Sequence, residues 1–207
     1  MEKTEYLVYC GFSITHYWVE RFAQIAKGGF LEVPIENEVP NMKEIPFSDL
    51  QMNPYDKIGK EWMLCTAGGE EGYNTMTCSW GHLGCLWNLP TAVCYVRPQR
   101  YTKEFIDREE KYTLCFFPEQ YKKALGYLGT KSGRDEDKVA AAGLTPVQVD
   151  GYTYFAEASL VLVCRTLYQA PLKEEYFRDK AVLDKNYPQR DLHDLYIGHI
   201  EKVLVSE

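Results

Sequence analysis

The stretch Tyr73–Gly81, YNTMTCSWG, decides how the fold of this chain is interpreted, because it has the length of a β-strand and carries several small polar side chains. Successive side chains of a strand point to opposite faces. One face would carry the hydroxyls of Thr75, Thr77 and Ser79, and the other would carry Asn74, Met76, Cys78 and Trp80. A row of small hydroxyls leaves room for a flat or charged ligand and offers it donors and acceptors. The alternative is a strand face in contact with water, where Thr and Ser are also common.

A second polar segment, YVRPQRYT at 95–102, follows an apolar run and contains Arg97 and Arg100. Two guanidinium groups at the end of a strand suit a phosphate group. Thr102 could cap the helix that we predict next, whose free N–H groups also favour an anion. The alternative is a surface turn whose arginines pair with nearby acidic side chains.

The third segment is GTKSGRDEDK at 129–138, where Lys131, Ser132 and Gly133 precede a run of acidic residues. Small residues here allow a close backbone approach to a ligand. Its spacing does not match a P-loop. Acidic residues at the start of a helix need no ligand to explain them, so a capped helix start is the alternative.

Short apolar or alternating runs dominate the rest of the chain from Lys60 onward and predict strands. They include EWMLCTAG, TAVCYVR, KYTLCFF, EASLVLVCRTLYQ and DLYIGHIEKVLV, together with a hairpin signal, PVQV-DG-YTYF, around Asp150-Gly151. Helices are predicted for PEQYKKALGYL and DEDKVAAAG. We therefore expect a mainly β fold, an antiparallel β-barrel with helices packed outside it.

The N-terminal part differs in character. Residues 13–27 have the spacing of an amphipathic helix that Ser13 could cap, and 32–57 are rich in Pro, Asn and acidic residues. We interpret 1–52 as an N-terminal helix and wrapping arm, and 53–207 as the barrel domain.

Composition narrows the class of protein. The formal net charge of −7 over 207 residues argues against nucleic-acid binding. No apolar run of about 20 residues predicts a membrane span, and the N-terminus does not resemble a secretion signal. The 7 cysteines are scattered, which is typical of reduced, buried thiols in a cytoplasmic protein, with redox activity of Cys78 and Cys85 as the alternative. Histidines and cysteines have no zinc-ligand spacing, so we predict no metal site.

The three polar segments occur in one order, NTMTCSWG, YVRPQRYT and SGRDEDK. Each is weak alone, but the ordered set resembles the flavin reductase-like family, the FMN-binding split barrels, and within it the flavoredoxin-like branch. Supporting stretches are WMLCTAG, FAEASLVLVC and DLHDLYIGHI. The resemblance runs from about Asn53 to Leu204 and has no counterpart for the N-terminal helix.

The resemblance implies a split barrel of antiparallel, Greek-key type and a homodimer with FMN near the subunit interface. Strand 74–80 would lie beside the isoalloxazine ring and ribityl chain, with the hydroxyls of Thr75, Thr77 and Ser79 in contact. The arginine turn and Lys131–Gly133 would bind the phosphate and ribityl end. The implied cofactor-binding residues are Asn74, Thr75, Met76, Thr77, Cys78, Ser79, Trp80, Arg97, Pro98, Arg100, Tyr101, Thr102, Lys131, Ser132 and Gly133.

His193 is the titratable residue that the resemblance singles out, since related reductases have a histidine of this kind near the flavin and nicotinamide. It would orient the nicotinamide or supply a proton. The alternative is a hydrogen-bonded structural histidine. We interpret His199 as structural and His82 as a residue at the rim of the pocket.

Three functions remain open from the sequence. The first is an oxidoreductase in which NAD(P)H reduces bound FMN, which passes electrons to free flavin or another acceptor; FMN would carry the redox chemistry. The second is a flavoredoxin-like electron carrier that a protein such as ferredoxin reduces, without a nicotinamide site. The third is a non-enzymatic flavin-binding module, or a barrel that has lost its cofactor.

Overall fold

The computed structural model describes residues 42–207, which lie within one compact unit, Val39–Glu207. The strands are β1 Met42–Ile45, β2 Met63–Gly69, β3 Gly72–Cys78, β4 Gly81–Leu86, β5 Leu89–Val96, β6 Lys111–Phe116, β7 Pro146–Val149, β8 Tyr152–Phe155, β9 Leu160–Pro171 and β10 Asp194–Ser206. The α-helices are α1 Tyr101–Glu109, α2 Lys122–Thr130, α3 Lys138–Ala141 and α4 Lys180–Asn186. A π-helical turn spans Tyr55–Glu61, and short 3-10 turns span Phe47–Asp49, Glu119–Tyr121 and Glu174–Tyr176.

Eight strands form one sheet in the order β3-β2-β6-β9-β10-β5-β4, with β1 beside β10. Every pairing in it is antiparallel. The edge strands β3 and β4 do not pair with each other, so the sheet curves without closing. This confirms the prediction of a mainly antiparallel β fold with helices outside the sheet.

Strand β9 explains why the sheet has a core on both faces. Leu160, Leu162 and Cys164 enter one buried cluster, whereas Val161 and Val163 enter the other. A strand whose two faces are both covered has a continuous apolar run and not an alternating one. The prediction of a strand over the run LVLVC is therefore confirmed.

Two hairpins have turns in which both central residues adopt a positive φ, as two-residue turns of this kind require. The turn between β7 and β8 is Asp150-Gly151, with φ of 53° and 77°, and it confirms the Asp-Gly prediction. The turn between β4 and β5 is Trp87-Asn88, with φ of 54° and 58°. A tryptophan in this conformation carries strain, and no pattern in the sequence predicts it.

The prediction of an amphipathic helix at 13–27 lies outside the described residues. Within the described part of the predicted arm, β1 pairs with the end of β10, Met42 opposite Ser206. Five of the cysteines at 65 and beyond are buried, but Cys85 is exposed, which corrects the expectation for that residue. Across 42–207 no cluster of His, Cys, Asp or Glu has the composition of a metal site. Within the same range, none of the helices combines the length and the apolar character that a membrane span requires.

Candidate functional site

Two of the three hydroxyls predicted to face a ligand, those of Thr75 and Thr77 in β3, are bonded to protein groups. Thr75 is fully buried, and its Oγ1 donates to the Cys65 carbonyl at 3.3 Å and lies 2.7 Å from Thr66 Oγ1. Thr77 Oγ1 donates to the Leu125 carbonyl at 2.5 Å. The expectation that all three hydroxyls are directed to a ligand is therefore wrong for Thr75, whose hydroxyl bridges β2 and β3.

Three neighbouring cavities are lined by β3 or by the Ser79-Trp80 segment that follows it. The polar cavity has a volume of about 300 Å³ and is lined by Asn74, Met76, Arg97, Gln99, Arg100, Tyr101, Thr102, Thr130, Lys131, Ser132, Gly133 and Lys138. The middle cavity, of about 200 Å³, is lined by Met76, Thr77, Cys78, Ser79, Trp80, Tyr95, Arg97, Arg100 and His193. The aromatic cavity, of about 1000 Å³, has rings in its wall at Tyr55, Trp80, His82, Tyr95, Tyr168, Tyr176, Phe177 and Tyr187.

The three cavities share walls in sequence. The polar and middle cavities share Met76, Arg97 and Arg100. The middle and aromatic cavities share Ser79, Trp80 and Tyr95. They therefore adjoin one another in the order polar, middle and aromatic, and we call this row of cavities the channel, which is cationic at one end and aromatic at the other.

Arg100 is an uncompensated cation at the polar end. A turn closed by the Arg100 N–H on the Arg97 carbonyl, at 3.1 Å, positions it, and its Nη1 donates to the Gly129 carbonyl at 2.8 Å. Within 42–207 its guanidinium forms no ion pair with a carboxylate. A partly buried guanidinium without a counter-ion favours an anion from solution.

Arg97, by contrast, is already paired. It forms an ion pair with the Asp191 carboxylate, donates to the Asn186 carbonyl at 3.1 Å and lies over the Tyr187 ring, 5.2 Å from its centroid. The alternative that the arginines of this turn pair with acidic residues is thus confirmed for Arg97 and wrong for Arg100.

Lys138 is a second cation in the polar cavity, and sequence reasoning gave it no role. Its residue is 3% exposed, and its Nζ donates to the carbonyls of Leu128, at 3.2 Å, and Lys131, at 3.0 Å. Burial, with the nearby Arg100 charge, lowers the pKa of Lys138 to about 8 against the opposing effect of Glu136. A lysine at the first position of a helix, where the helix dipole repels it, was the signal that could have identified it.

Asn74 joins β3 to α1 and to the loop after α2. Its Nδ2 donates to Thr102 Oγ1 at 2.7 Å. Thr102 is therefore a buried residue inside α1 and not its cap, which corrects the prediction; Arg100 precedes the first helical residue and makes no side-chain cap. On the other side, a Cβ at Gly133 would lie 2.1 Å from Asn74 Oδ1, so only glycine permits this approach.

His193 occupies the middle cavity and is 8% exposed. Its Nδ1 lies 2.9 Å from Tyr187 Oη, and its ring centroid is 5.0 Å from that of Trp80. Burial lowers the pKa of His193 to about 4; the Arg97 charge acts in the same direction and the Asp191 carboxylate opposes it. The imidazole is thus neutral at pH 7, so it offers one N–H donor and one nitrogen acceptor.

Most residues that the sequence analysis selected line the channel. Thr75 and Pro98 are the exceptions, because neither lines any of the three cavities. Pro98 is exposed at the tip of the arginine turn, where its fixed φ favours the turn itself. Lys131 lines the polar cavity but is half exposed, with its Nζ 3.6 Å from Glu136.

The aromatic cavity went unnoticed in the sequence because its wall is assembled from distant segments. The π-helical turn Tyr55–Glu61 contributes Tyr55 and Ile58, and the loop after β9 contributes Tyr176 and Phe177. Its lining residues include no Asp or Glu, whereas Lys173 and Arg178 are present. This combination accommodates a planar ring and tolerates negative charge beside it.

The family model of the flavin reductase like domain matches residues 55–207. None of the curated proteins matches this chain.

Solved structures share the fold. An FMN-binding domain of a flavin reductases-like enzyme from Shewanella baltica matches with a TM-score of 0.57 and 16% identity, over 81% of this chain and 78% of that chain. Flavoredoxin of Desulfovibrio vulgaris (Miyazaki F) matches with a TM-score of 0.56 and 23% identity, over 70% and 69%. Nitrilotriacetate monooxygenase component B from Bacillus cereus matches with a TM-score of 0.55 and 18% identity, over 81% and 83%.

Proposed function

The chain belongs to the flavin reductase-like family, and from this premise we propose that it is an FMN-binding oxidoreductase. In the proposed reaction NAD(P)H delivers reducing equivalents to bound FMN, which passes them to free flavin or another acceptor. FMN supplies the hydride and electron transfer, and the protein binds and orients it.

The observation that carries the proposal is the gradient along the channel. Arg100 and Lys138 lie at one end and form no ion pair with a carboxylate of residues 42–207, and the rings of Trp80, Tyr95 and Tyr187 lie at the other end. FMN has the same polarity, with a phosphate dianion, a polar ribityl chain and a planar aromatic ring in that order. A phosphate without a ring would contact only the cationic end of the channel, and an uncharged ring would contact only the aromatic end.

The residues fit the cofactor in three groups. Arg100 and Lys138 would bind the phosphate through charge-assisted hydrogen bonds, with Lys131 and Ser132 at the edge of the same cavity. Asn74, Met76 and Thr77 would border the ribityl chain. Ser79, Trp80 and His193 would lie beside the ring, with the imidazole as a neutral donor and not as a cation. Arg97 would act through Asp191 and Tyr187 by fixing the wall of the channel.

The aromatic cavity favours a second, planar substrate next to the ring. Its volume of about 1000 Å³ exceeds that of the other two cavities, and Lys173 and Arg178 lie in its wall. The nicotinamide ring of NAD(P)H would fit the volume of the cavity, and the phosphates of the dinucleotide would lie near the two cations. This favours NAD(P)H as the donor over a protein partner such as ferredoxin, which would need no cavity of this size.

An absorbance experiment separates the alternatives. The full chain is purified, loaded with FMN if it is colourless, and mixed anaerobically with NADH or NADPH. Bleaching of the flavin band supports the reductase. A flavin band that stays oxidised with both nucleotides, but bleaches with reduced ferredoxin, replaces it with the electron carrier. A protein that binds no FMN rejects both and leaves a barrel without its cofactor.

We also propose that the protein is a homodimer. The tip of the β4–β5 hairpin exposes two large apolar side chains, Leu86 at 38% and Trp87 at 57%. Within residues 42–207, β4 is an edge strand of the sheet, and such an edge can pair with a second copy. A strained tryptophan held in solvent is costly unless a partner covers it.

The free cysteines of 42–207 further support a cytoplasmic location, where thiols stay reduced.

A further inference from the structure

A buried pair, Tyr187 and His193, links the walls of two neighbouring cavities, since His193 lines the middle cavity and Tyr187 lines the aromatic cavity. Tyr187 Oη and His193 Nδ1 are 2.9 Å apart, and the two residues are 4% and 8% exposed. Their rings contact each other edge to face with centroids 5.5 Å apart. The energy of a hydrogen bond between two buried side chains depends strongly on which partner carries the proton.

The chain holds Tyr187 from several sides. It follows α4, where its N–H donates to the Leu183 carbonyl at 2.8 Å, and its own carbonyl accepts from Arg190 Nη1 at 3.2 Å. The Arg97 guanidinium covers its ring, and the Phe177 ring meets it edge to face at 5.9 Å. The hydroxyl is therefore fixed against His193 by packing.

The hydrogen bond between the two side chains favours one position for the imidazole proton. Burial raises the pKa of Tyr187, so its hydroxyl keeps its proton at pH 7. Within 42–207, His193 Nδ1 is the single hydrogen-bond partner of that hydroxyl. If Nδ1 carried the imidazole proton, the phenol proton would have no acceptor among the described residues, and leaving a buried donor unpaired costs about 1–3 kcal/mol. Donation from Tyr187 to an unprotonated Nδ1 leaves no such group.

The second imidazole nitrogen is then the one that carries hydrogen. His193 Nε2 makes no hydrogen bond within the described chain, and it is not among the atoms that are both sealed and unpartnered there, which are Thr166 Oγ1 and His199 Nδ1. His193 lines the middle cavity. Nε2 is thus accessible from that cavity.

We propose that Tyr187 is a positioning residue that holds His193 in the neutral tautomer with its proton on Nε2. The channel wall then presents a hydrogen-bond donor, and not a base, to an acceptor atom of the ring in the middle cavity. The charged groups around the imidazole, Arg97, Arg100, Asp191 and Asp194, are of both signs. The inference rests on the proposed function for the ligand, but the tautomer exists in the protein alone.

Nitrogen NMR of the full chain, labelled at histidine and free of FMN, tests the tautomer at pH 7. We expect the His193 signal, assigned by its loss in His193→Asn, to have an unprotonated Nδ1 and a protonated Nε2. In Tyr187→Phe the ring packing remains but the donor is lost, so we expect a mixture of tautomers and a higher pKa of His193. FMN should bind about 2- to 10-fold more weakly.

Tyr95→Phe is the matched control, because the Tyr95 ring also contacts His193, at 6.4 Å, but its hydroxyl faces His82 at 3.5 Å. It should leave the His193 tautomer unchanged. A protonated Nδ1 in the wild-type protein overturns the inference, as does a Tyr187→Phe spectrum identical to the wild type. If Tyr187→Phe does not fold, the wild-type tautomer decides. An Nε2–H tautomer in a protein that binds no FMN supports the inference and rejects the proposed function.

Discussion

Gly133 and Asn74 approach each other so closely that a methyl group at position 133 would lie 2.1 Å from Asn74 Oδ1. This contact brings the loop after α2 onto β3 and closes one side of the polar cavity. The Gly133 φ is not in the left-handed region, so the requirement for glycine is one of space alone.

Gly133→Ala should therefore destabilise the protein by about 1–3 kcal/mol, because the added methyl group displaces the Asn74 side chain from its hydrogen bond to Thr102 or shifts the loop. Denaturant unfolding measures this. Gly126→Ala in α2 is the matched control, since a Cβ there meets nothing within 4 Å and should stabilise the helix by about 0.5–1 kcal/mol. Equal changes in the free energy of unfolding for the two substitutions would contradict a close contact between Gly133 and Asn74.

Lys138 should make FMN affinity depend on pH. Its pKa in the folded protein is about 8, so above pH 8 the free protein holds it neutral, and binding a phosphate dianion must recruit a proton. We expect the Kd to rise by about 2-fold from pH 7 to 8 and by up to about 5-fold from pH 8 to 9. Calorimetric titration at each pH measures it. Lys138→Met should remove this pH dependence of the Kd. If the pH dependence persists in this variant, another group causes it and the prediction is wrong.

His193 should make stability fall in mild acid. Its pKa is lowered from 6.5 to about 4, so the unfolded chain takes up the proton first as pH falls. The free energy of unfolding therefore falls as the pH drops from 6.5 towards 4, by about 2 kcal/mol between pH 6.5 and 5. Unfolding of His193→Asn should show a shallower decline over this range. His82→Asn, a change at an exposed histidine, should keep the wild-type slope.

Trp87→Asn tests the dimer surface without straining the hairpin. Asparagine tolerates a positive φ and removes the exposed ring, so the monomer should be as stable as the wild type or more so. Light scattering during size exclusion should report a shift from dimer to monomer. Val149→Thr, at a residue of 47% exposure on another hairpin, should leave the mass unchanged. A wild-type protein that is already monomeric rejects the dimer.

The sequence predicted the sheet well because strands depend on local pattern. The apolar run around Val161 and the Asp150-Gly151 turn each have one favourable conformation. The hairpin at Trp87 was missed because a tryptophan at positive φ is imposed by its surroundings and not preferred.

The site was predicted less completely, for a physical reason. The role of Thr75 depends on Thr66, its partner across the sheet, and the charge state of Lys138 depends on its burial; neither is visible in a single segment. Thr102 was interpreted as a cap from its position after the arginines, but the helix starts at Tyr101, so Thr102 lies inside it, and its hydroxyl accepts a hydrogen bond from Asn74 Nδ2.

The most direct test of the central claim, that the channel binds FMN with its phosphate at Arg100, is a comparison of FMN with riboflavin by calorimetry. For the wild type we expect FMN to bind more tightly than riboflavin. In Arg100→Ala we expect FMN to lose about 10- to 150-fold in affinity, from a charge-assisted contact of about 1.5–3 kcal/mol, and riboflavin to lose little. Arg108→Ala, outside the channel, should change neither. Equal binding of the two ligands by the wild type, or an Arg100→Ala variant with unchanged FMN affinity, would contradict the account.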